Sequence, residues 1–586
     1  MGDEDTVSAL LNEFLDGLAS EEAAIAMRLT VDALGLSLRV AVNELDWYLY
    51  NYAREAETTR EQNQHYYIMS LGVTRLISVM FRAHADFSVP TITLRRQIEL
   101  SKQILEIAAH LGFIEHGRRN ANMVRAGLSR LIRNPSGRYE FILLSSILDE
   151  AAHERDVEAH FRHETRRLRQ ELLESAQGQK IAASLTDLLE ENVFVFAEHF
   201  MGYDAHPMLD EHYFQLAWSE LRETPGFDSF NELRTFGGIC FLKYLLGAAY
   251  LNSLCLKHEA FSRAMTRKHP GIRMEDILSI TSVRAEFVST MRDALNIFGL
   301  DYKNYTMINL EEAWRIYDVL AITRRNVDLL DRPLAPLPCL VEFSDSAVIK
   351  FVAGRHRQME FLLNSLRRAF PREYDGNQRF REGSLQRALE KLLGDAFPGL
   401  EFRRNVKLRC KGRVLTDVDL AVIDRRFGDL FLVQIKFQDR PSQDFRTEAS
   451  RVDRFRTEAV RWLSTVDQWR ERGDAAALKS TFRVPRDLAI TRIRKLVLAR
   501  HHAWPLRNVQ LDDDTAYATW DQFVNAVMLM EEQQGDFRTL NGLFGILRSH
   551  IVGIAPRHHE DEEPVEFVLN NLKFAVLQES GGRAGG

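Results

Sequence analysis

The chain has 586 residues with 45% hydrophobic and 27% charged side chains, a composition that excludes an intrinsically disordered protein. One hydrophobic core does not serve a chain of this length, so two to four domains are expected. The net charge of −7 is unevenly distributed, because residues 351–500 contain 33 basic and 20 acidic residues and the rest is strongly acidic. A basic segment inside an acidic protein predicts a surface that binds a polyanion, with solvated arginine-rich helices as the alternative.

Three features indicate a cytoplasmic protein. The N-terminus, Met-Gly-Asp-Glu-Asp, is acidic and lacks the layout of a signal peptide. The four cysteines lie far apart without a CxxC spacing, which argues against a zinc ribbon or a disulfide framework and suits a reducing compartment. The most apolar stretch, residues 244–251, is much shorter than the ~20 residues of a membrane span, so no membrane association is expected.

Residues 1–330 have the periodicity of helices, with apolar residues recurring every three or four positions. Leu71, Leu76 and Met80 belong to one such series, and prolines fall between the periodic segments. The sequence therefore predicts a large all-α N-terminal domain for a sensing, partner-binding or regulatory role. A helical enzyme of an unrecognised type is a more remote alternative.

Three prolines within residues 331–338 predict a linker, and residues 331–380 are interpreted as linker and connecting elements. The pattern then changes to a helix, three strands, a helix, two strands and a helix, which predicts an α/β domain of a mixed sheet flanked by helices over residues 381–535. Residues 536–586 are expected to form a C-terminal helical extension and a disordered tail. The predicted elements are a helix at 384–397, strands at 402–409 and within 413–437, a helix at 445–469, strands at 495–499 and 509–511, and a helix at 520–530.

Residues 413–437 are the one stretch whose side chains suggest chemistry. A turn at residues 427–429 separates two β-branched, apolar runs, which is a hairpin signal. Alternation along a strand puts Asp417 and Asp419 on one face of the first run, and Gln434 and Lys436 on one face of the second. Lys436 lies in an otherwise apolar run, where an ammonium group needs a partner, and Asp419 is the available one. A candidate metal site and a bare structural ion pair are both consistent with this pattern.

Residues from about 380 to 530 resemble the PD-(D/E)xK, or restriction-endonuclease-like, nuclease superfamily. The resemblance rests on the order of elements, on Asp419 in Thr-Asp-Val-Asp-Leu-Ala-Val, and on Gln434-Ile435-Lys436 at the position of the family's acid-x-Lys. Glutamine in place of the second carboxylate matches a subset that includes Mrr-like enzymes, and it removes one formal charge from the metal site.

The family often carries a further acid on the first helix of this core. Glu390, in Ala-Leu-Glu-Lys-Leu-Leu, matches that acid, and Gln386 and Glu382, one and two turns earlier, compete for the role. Asp417 is a reserve ligand.

The resemblance implies a Mg²⁺-dependent nuclease acting on DNA, with Mn²⁺ as a possible substitute and RNA as an alternative substrate. Asp419 is then the principal metal ligand, joined by the Gln434 side-chain oxygen and the Ile435 carbonyl. Lys436 orients or helps to deprotonate the attacking water, and Glu390 binds a second metal or a metal-bound water. Asp419, Gln434, Lys436 and Glu390 are the implied catalytic residues.

Six basic residues near this site are candidate phosphate contacts. Helical regions fused to this nuclease core recur in bacterial restriction and antiphage systems, so the resemblance implies a defence effector gated by its helical domain. A partner protein or a second copy of the chain is expected to bind through the helices. The alternative is a catalytically inactive nuclease fold that binds nucleic acid or serves as a scaffold. The candidate phosphate contacts are Arg403, Arg404, Lys407, Arg451, Arg454 and Arg461.

Overall fold

The protein is mainly helical in its first half and is built around a five-stranded sheet in its second half. The predicted disordered tail at residues 581–586 lies outside the described residues. The computed structural model describes residues 2–29, 34–54, 59–83, 96, 98–125, 127, 129–143, 175–196, 200–222, 228–331, 335–342, 344, 346–439, 445–473, 475–485, 487–506, 509–534, 538–552 and 565–578.

The predicted helical character of the first 330 residues is confirmed, but short strands lie between the helices. Strands of two to five residues are too short to leave a period-two pattern, which is why the periodicity missed them. The helices are α1 Gly2–Arg28, α2 Leu34–Arg54, α3 Arg60–Ala83, α4 Ile98–Arg125, α5 Ala176–Glu191, α6 Pro207–Arg222, α7 Phe241–Lys268, α8 Arg284–Gly299 and α9 Leu310–Leu320. The strands are β1 Ser129–Arg133, β2 Tyr139–Leu143, β3 Val193–Phe196, β4 Phe200–Tyr203, β5 Thr235–Phe236, β6 Ile239–Cys240, β7 Ile280–Val283 and β8 Ala321–Ile322.

Residues 335–369, within the predicted linker, are folded against the helical region. Strands β9 (Leu340–Glu342) and β10 (Ala347–Lys350) complete a sheet of order β7-β10-β9-β8, and helix α10 (Gln358–Ala369) follows. The buried Asp46 carboxylate accepts the backbone amides of Val352 at 3.0 Å and Ala353 at 2.7 Å. Satisfying buried amides in this way stabilises the connection between the segment and helix α2.

The α/β part follows the predicted order of elements, with three differences. An additional helix, Ala475–Phe482, follows the predicted helix at residues 445–469. Helix α11 begins at Pro371 rather than at residue 384, and the buried Tyr374 packs its first turns against the protein. The last strand is residues 515–519 rather than 509–511; its five buried residues show no alternation that would mark a strand. The elements are α11 Pro371–Ala396, β11 Leu400–Cys410, β12 Arg413–Asp424, β13 Asp429–Lys436, α12 Phe445–Arg472, α13 Ala475–Phe482, β14 Arg492–Ala499, β15 Thr515–Thr519, α14 Trp520–Gln534 and α15 Leu540–Val552.

The sheet has the order β11-β12-β13-β14-β15, antiparallel through β13 and parallel beyond it. Helices α11, α14 and α15 cover one face, where Leu389, Val433 and Phe523 are buried. Helices α12 and α13 cover the other face. The predicted helix at residues 445–469 is confirmed. Its apolar stripe from Phe455 to Trp469 is buried, and each large buried side chain of this kind contributes roughly 2 kcal/mol. The result is a three-layer α/β/α arrangement.

Along strand β11 of the β11–β12 hairpin, the buried side chains switch from one face of the sheet to the other. Phe402 packs on the α11 side of the sheet, whereas Val406 and Leu408 pack on the α12 side, although regular alternation would put all three side chains on one face. Asn405 between them has a left-handed φ of 50°, which breaks the alternation. Asp419 lies opposite this break, because the flanking register pairs are Arg404 with Leu420 and Val406 with Val418.

The last described strands, β16 (Glu566–Leu569) and β17 (Leu572–Gln578), form a hairpin after helix α15. Strand β17 pairs in parallel with β2, which gives a second sheet of order β1-β2-β17-β16. Phe574 is fully buried there and contacts Phe14 and Phe141 edge to face. Helix α1 and strand β17 therefore share one hydrophobic core.

Buried ion pairs join the helical region to the loops that follow β13 and β14. Arg500 makes two charged hydrogen bonds to Asp228, and its backbone amide donates to the Lys436 carbonyl at 3.0 Å. Arg381 donates to the Asp228 carbonyl at 2.8 Å and to the Asp439 carboxylate at 2.6 Å. The segment that follows Lys436 is thus held by residue 228.

In the part of the chain that the structure describes, none of the helices combines the length and apolar character needed to cross a membrane. All four cysteines are free thiols.

Candidate active site

Strands β12 and β13 bring the Asp419 carboxylate against Gln434. Their ladder ends at the pair Leu420 and Val433, so Asp419 and Gln434 are the next positions on the two strands. Asp419 Oδ2 accepts hydrogen bonds from Gln434 Nε2 at 2.6 Å and from the Ile435 amide at 2.6 Å. The structure therefore brings together the acid and the amide that the hairpin pattern predicted to converge.

The side-chain oxygen of Gln434 is a buried acceptor that lacks a hydrogen-bond partner among the described residues. The amide nitrogen is committed to Asp419, which fixes the orientation of the group. A buried polar atom left without a partner costs about 1–3 kcal/mol, so each such atom in a folded protein requires an explanation. A cation bound at this oxygen would supply one.

Burial raises the pKa of Asp419 to about 6. The Asp417 and Glu382 carboxylates add to this shift, whereas the Ile435 amide and the Lys436 ammonium oppose it. Asp419 thus lies in the field of two further acidic groups and one cation. A divalent cation would favour the ionised form of Asp419 by replacing the missing positive charge.

Lys436 has a different hydrogen-bond partner from the one predicted. Its ammonium group donates to Glu458 of helix α12 at 3.0 Å, and Arg454 donates to the other oxygen of that carboxylate at 2.9 Å. Lys436 still acts on Asp419 through its charge. The hydrogen bond from Arg454, together with Lys436, lowers the pKa of Glu458.

The sequence pattern did not predict Glu458 as the partner of Lys436, because Glu458 lies on a different element, 22 positions away. A signal was present, since Glu458 directly precedes the buried Ala459 and follows the buried Phe455 by three residues. A carboxylate at the border of an apolar stripe faces the sheet on which the helix packs. Trp462, on the same helix, donates to the Asp417 carbonyl at 2.8 Å and holds α12 against β12.

The three candidates on helix α11 lie in different surroundings. Gln386 donates from Nε2 to the Asp419 carbonyl. Burial raises the pKa of Glu382, and the nearby Lys436 charge opposes the shift. Glu390 instead makes a double charged hydrogen bond to Arg404 of β11. Gln386 and Glu382 therefore adjoin the Asp419 site, while Glu390 is bonded to Arg404 instead.

The candidate phosphate contacts also divide into two groups. Arg403 donates to Glu401 at 2.7 Å and Arg404 is bonded to Glu390, so both are paired with acids. Lys407 and Arg461 are exposed, and the Arg454 side chain is 81% exposed. The side chain of the sixth residue, Arg451, lies outside the described part of the structure.

The donor set fits a hard divalent cation such as Mg²⁺. The Asp419 carboxylate, the Gln434 amide oxygen and the Ile435 carbonyl are oxygen donors, which this ion prefers, and it needs only one or two carboxylates. Among the described residues, no three His, Cys, Asp or Glu side chains are grouped so that they could hold a metal. The fit therefore depends on amide and carbonyl oxygens, above all on the Gln434 oxygen that lacks a hydrogen-bond partner.

Comparison with known proteins gives no relative for this chain: no family model, no curated protein and no solved structure matches it.

Proposed function

We propose that the protein is a metal-dependent nuclease that hydrolyses phosphodiester bonds of DNA, on a restriction-endonuclease-like core formed by residues 381–535. The observation that carries the proposal is the buried Gln434 oxygen without a partner, beside an aspartate whose pKa burial raises to about 6. The order of the sheet and its covering helices supports the same proposal. Perturbed acids in a polar cluster at the end of a strand are common at active sites.

Each residue of the cluster has a role in this chemistry. Mg²⁺ would supply charge neutralisation and an acidified water. Asp419 and the Gln434 oxygen would hold the ion, and the Ile435 amide and Gln386 fix the aspartate in place. Lys436 orients the attacking water and offsets the charge that develops on the phosphate. Glu458 positions the Lys436 ammonium.

We further propose that the helical region controls this site, and that the protein is a cytoplasmic effector of a bacterial antiphage or restriction system. The buried pair of Asp228 and Arg500 supports the control, since Arg500 also bonds to the Lys436 carbonyl. A displacement of residue 228 by a partner protein or a second copy bound to the helices would move the segment that follows Lys436. The defence role rests on the family resemblance alone.

A catalytically inactive nuclease fold that binds nucleic acid is the second candidate. The observation that favours it is the glutamine at 434, which leaves Asp419 as the carboxylate that bonds directly to the 434–435 segment. Such a protein would keep the basic surface and lose hydrolysis.

The two candidates separate in one assay with purified protein, supercoiled plasmid and Mg²⁺. Asp419→Ala and Lys436→Ala are compared with Asp395→Ala and Lys391→Ala, which remove the same charges from exposed positions on helix α11. The nuclease predicts cleavage that stops in EDTA, is lost in the first two variants and persists in the matched controls. The assay is repeated with infected-cell extract to supply an activator.

Plasmid that stays intact with every addition, while the protein still binds DNA, supports the inactive fold instead. Cleavage that survives Lys436→Ala refutes this site and points to a catalytic centre elsewhere in the chain.

A further inference from the structure

The hairpin of β11 and β12 continues past the sheet immediately beside Asp419. The ladder between β12 and β13 runs from Leu420 to Asp424, whereas the ladder between β11 and β12 runs on to the pair Cys410 and Arg413. Residues 403–416 of this hairpin, here called the basic arm, therefore begin where the Asp419 site is formed. A ligand that reaches Asp419 from this edge passes along the arm.

The basic arm carries charge of one sign. Between positions 403 and 416 there are six basic residues and no acidic residue. At its base Arg403 and Arg404 are bonded to acids, but Lys407, Arg409, Lys411 and Arg413 farther along are exposed. Asp417, just beyond the arm on β12, faces Lys407 across the ladder. The tip is thus the more cationic part.

The arm is also structurally fixed. Leu408 is fully buried, and β11 contacts α12 and α13, so one face of the arm lies on these helices. The register shifts between Leu408 and Arg409, an irregularity that twists the strands and redirects the side chains beyond it. Arg409 donates to the Gly412 carbonyl at 3.3 Å within the tip. A held element presents its charges without a large ordering penalty on binding.

The turn at the tip retains a lysine against the local preference. Lys411 and Gly412 both have left-handed φ, 48° and 80°, as in a two-residue type I′ turn. Asn, Asp and Gly are the usual residues at the first of these positions because other side chains are strained there. Lys411 therefore adds a positive charge to the tip at a position where the turn itself favours a different residue.

We infer that the basic arm is a docking surface for the phosphate backbone of duplex DNA, and that its tip contacts phosphates away from the cleaved bond. The choice of DNA rests on the proposed function. The choice of duplex rests on the arm, because residues 403–416 include no aromatic side chain and single strands are usually held by stacking on aromatic rings. Backbone contacts by lysine and arginine carry no sequence information, so the arm contributes affinity and orientation.

The test measures binding of a fluorescent duplex by the full chain in EDTA, where no cleavage occurs, over a series of salt concentrations. Arg409→Ala/Lys411→Ala/Arg413→Ala is expected to weaken duplex binding at least tenfold and to reduce the slope of log K against log salt by about 2 to 3, near 0.9 per phosphate lost. Arg125→Ala/Lys180→Ala/Lys303→Ala removes the same charge from exposed positions in the first 330 residues and should leave both quantities unchanged.

One substitution separates binding from folding. Lys411→Asn suits the turn better, so it should leave the melting temperature the same or higher while weakening duplex binding about threefold, with a slope change near 0.9. A triple variant that binds within twofold of the unmodified protein refutes the arm. So does an unmodified protein that fails to bind duplex or prefers single-stranded DNA or RNA. If Asp419→Ala loses cleavage while binding still depends on the arm, both proposals are supported. If binding depends on the arm but the unmodified protein does not cleave, the docking surface is supported and the nuclease is refuted.

Discussion

Two lysines lie on the same face of the five-stranded sheet, and each is bonded to a carboxylate of the same helix, α12. Lys495 is 1% exposed and donates to Asp467 at 2.5 Å and to Asp512 at 2.7 Å. Lys436 is 22% exposed and donates to Glu458 at 3.0 Å. The difference lies in what surrounds them, because only the second cluster includes, among the described residues, a buried oxygen without a partner, that of Gln434.

The pKa values of an acid in each cluster, Asp512 and Asp419, are shifted in opposite directions. Burial alone would raise the pKa of Asp512, but hydrogen bonds from Lys495 and Thr515 lower it overall. Burial raises the pKa of Asp419 to about 6, and its neighbours do not reverse the shift. An ion cluster whose groups satisfy one another stabilises the fold. A cluster with an unsatisfied oxygen and a raised pKa has capacity for a ligand, which is where we propose the chemistry.

Exchanging each lysine for methionine should separate the two clusters most strongly. Lys436→Met is expected to lower cleavage about 10²–10³-fold, as loss of a charge-stabilising group does, with little change in melting temperature. Lys495→Met should leave Asp467 and Asp512 without their partner and destabilise the fold by about 1–3 kcal/mol. Its cleavage per folded molecule should stay close to that of the unmodified protein, as measured by plasmid cleavage and thermal unfolding.

The reverse pattern, with Lys495→Met inactive and Lys436→Met merely unstable, would contradict the assignment of the two clusters.

Glu458 should prove to be a positioning residue. Glu458→Gln keeps a hydrogen-bond acceptor but removes the charge that holds the Lys436 ammonium, so kcat should fall about tenfold with KM little changed. Arg454→Ala removes the exposed partner of the same carboxylate and a candidate phosphate contact, so it should raise KM instead. Steady-state kinetics on a duplex oligonucleotide distinguishes the two, and equal effects on kcat and KM in both variants would argue against the positioning role.

Gln434→Glu sharpens the comparison by placing a second carboxylate beside Asp419. Without metal, the new carboxylate loses the Nε2 hydrogen bond to Asp419 and repels it, which should lower stability by about 1–2 kcal/mol. With Mg²⁺, the added charge should tighten binding, so the metal-induced rise in melting temperature should exceed that of the unmodified protein. A variant whose melting temperature does not respond to Mg²⁺ would show that the ion binds elsewhere.

The smallest expected effect is the pH dependence of Asp419. Its pKa is higher in the folded state, so the stability that it contributes is present below its ordinary pKa and is lost as the pH rises through about 6. Asp419→Asn removes this dependence. The stability advantage of the asparagine variant over the unmodified protein should therefore be about 1 kcal/mol greater at pH 8 than at pH 5, in denaturant unfolding without metal. A difference that is constant with pH would mean that the aspartate is not perturbed.

The sequence was sufficient for features that depend on neighbouring residues. The apolar stripe of α12 and the order of the strands along the chain follow from periodicity. The contact between Asp419 and Gln434 follows from the pairing of one hairpin. The partner of Lys436 depends on how α12 crosses the sheet. Periodicity fixes the buried face of a helix but not the strand that it covers, which is why Glu458 was not identified.

Long-range pairing explains the other differences. Strand β17 pairs with β2 across more than 400 residues, and the segment at residues 340–350 joins strands from the helical region. The local sequence of a short strand does not show which distant strand it pairs with. The break at Asn405 was missed because a left-handed residue inside a strand leaves the alternation of the letters intact while it changes the face.

A crystal soaked in Mn²⁺ and measured for anomalous scattering tests the metal site most directly. The expected result is a peak within bonding distance of both the Asp419 carboxylate and the Gln434 side-chain oxygen, about 2.0–2.2 Å, as for a hard ion with oxygen ligands. A peak that avoids these two groups, or a Gln434 oxygen that remains without a partner at saturating Mn²⁺, would contradict the proposed nuclease site.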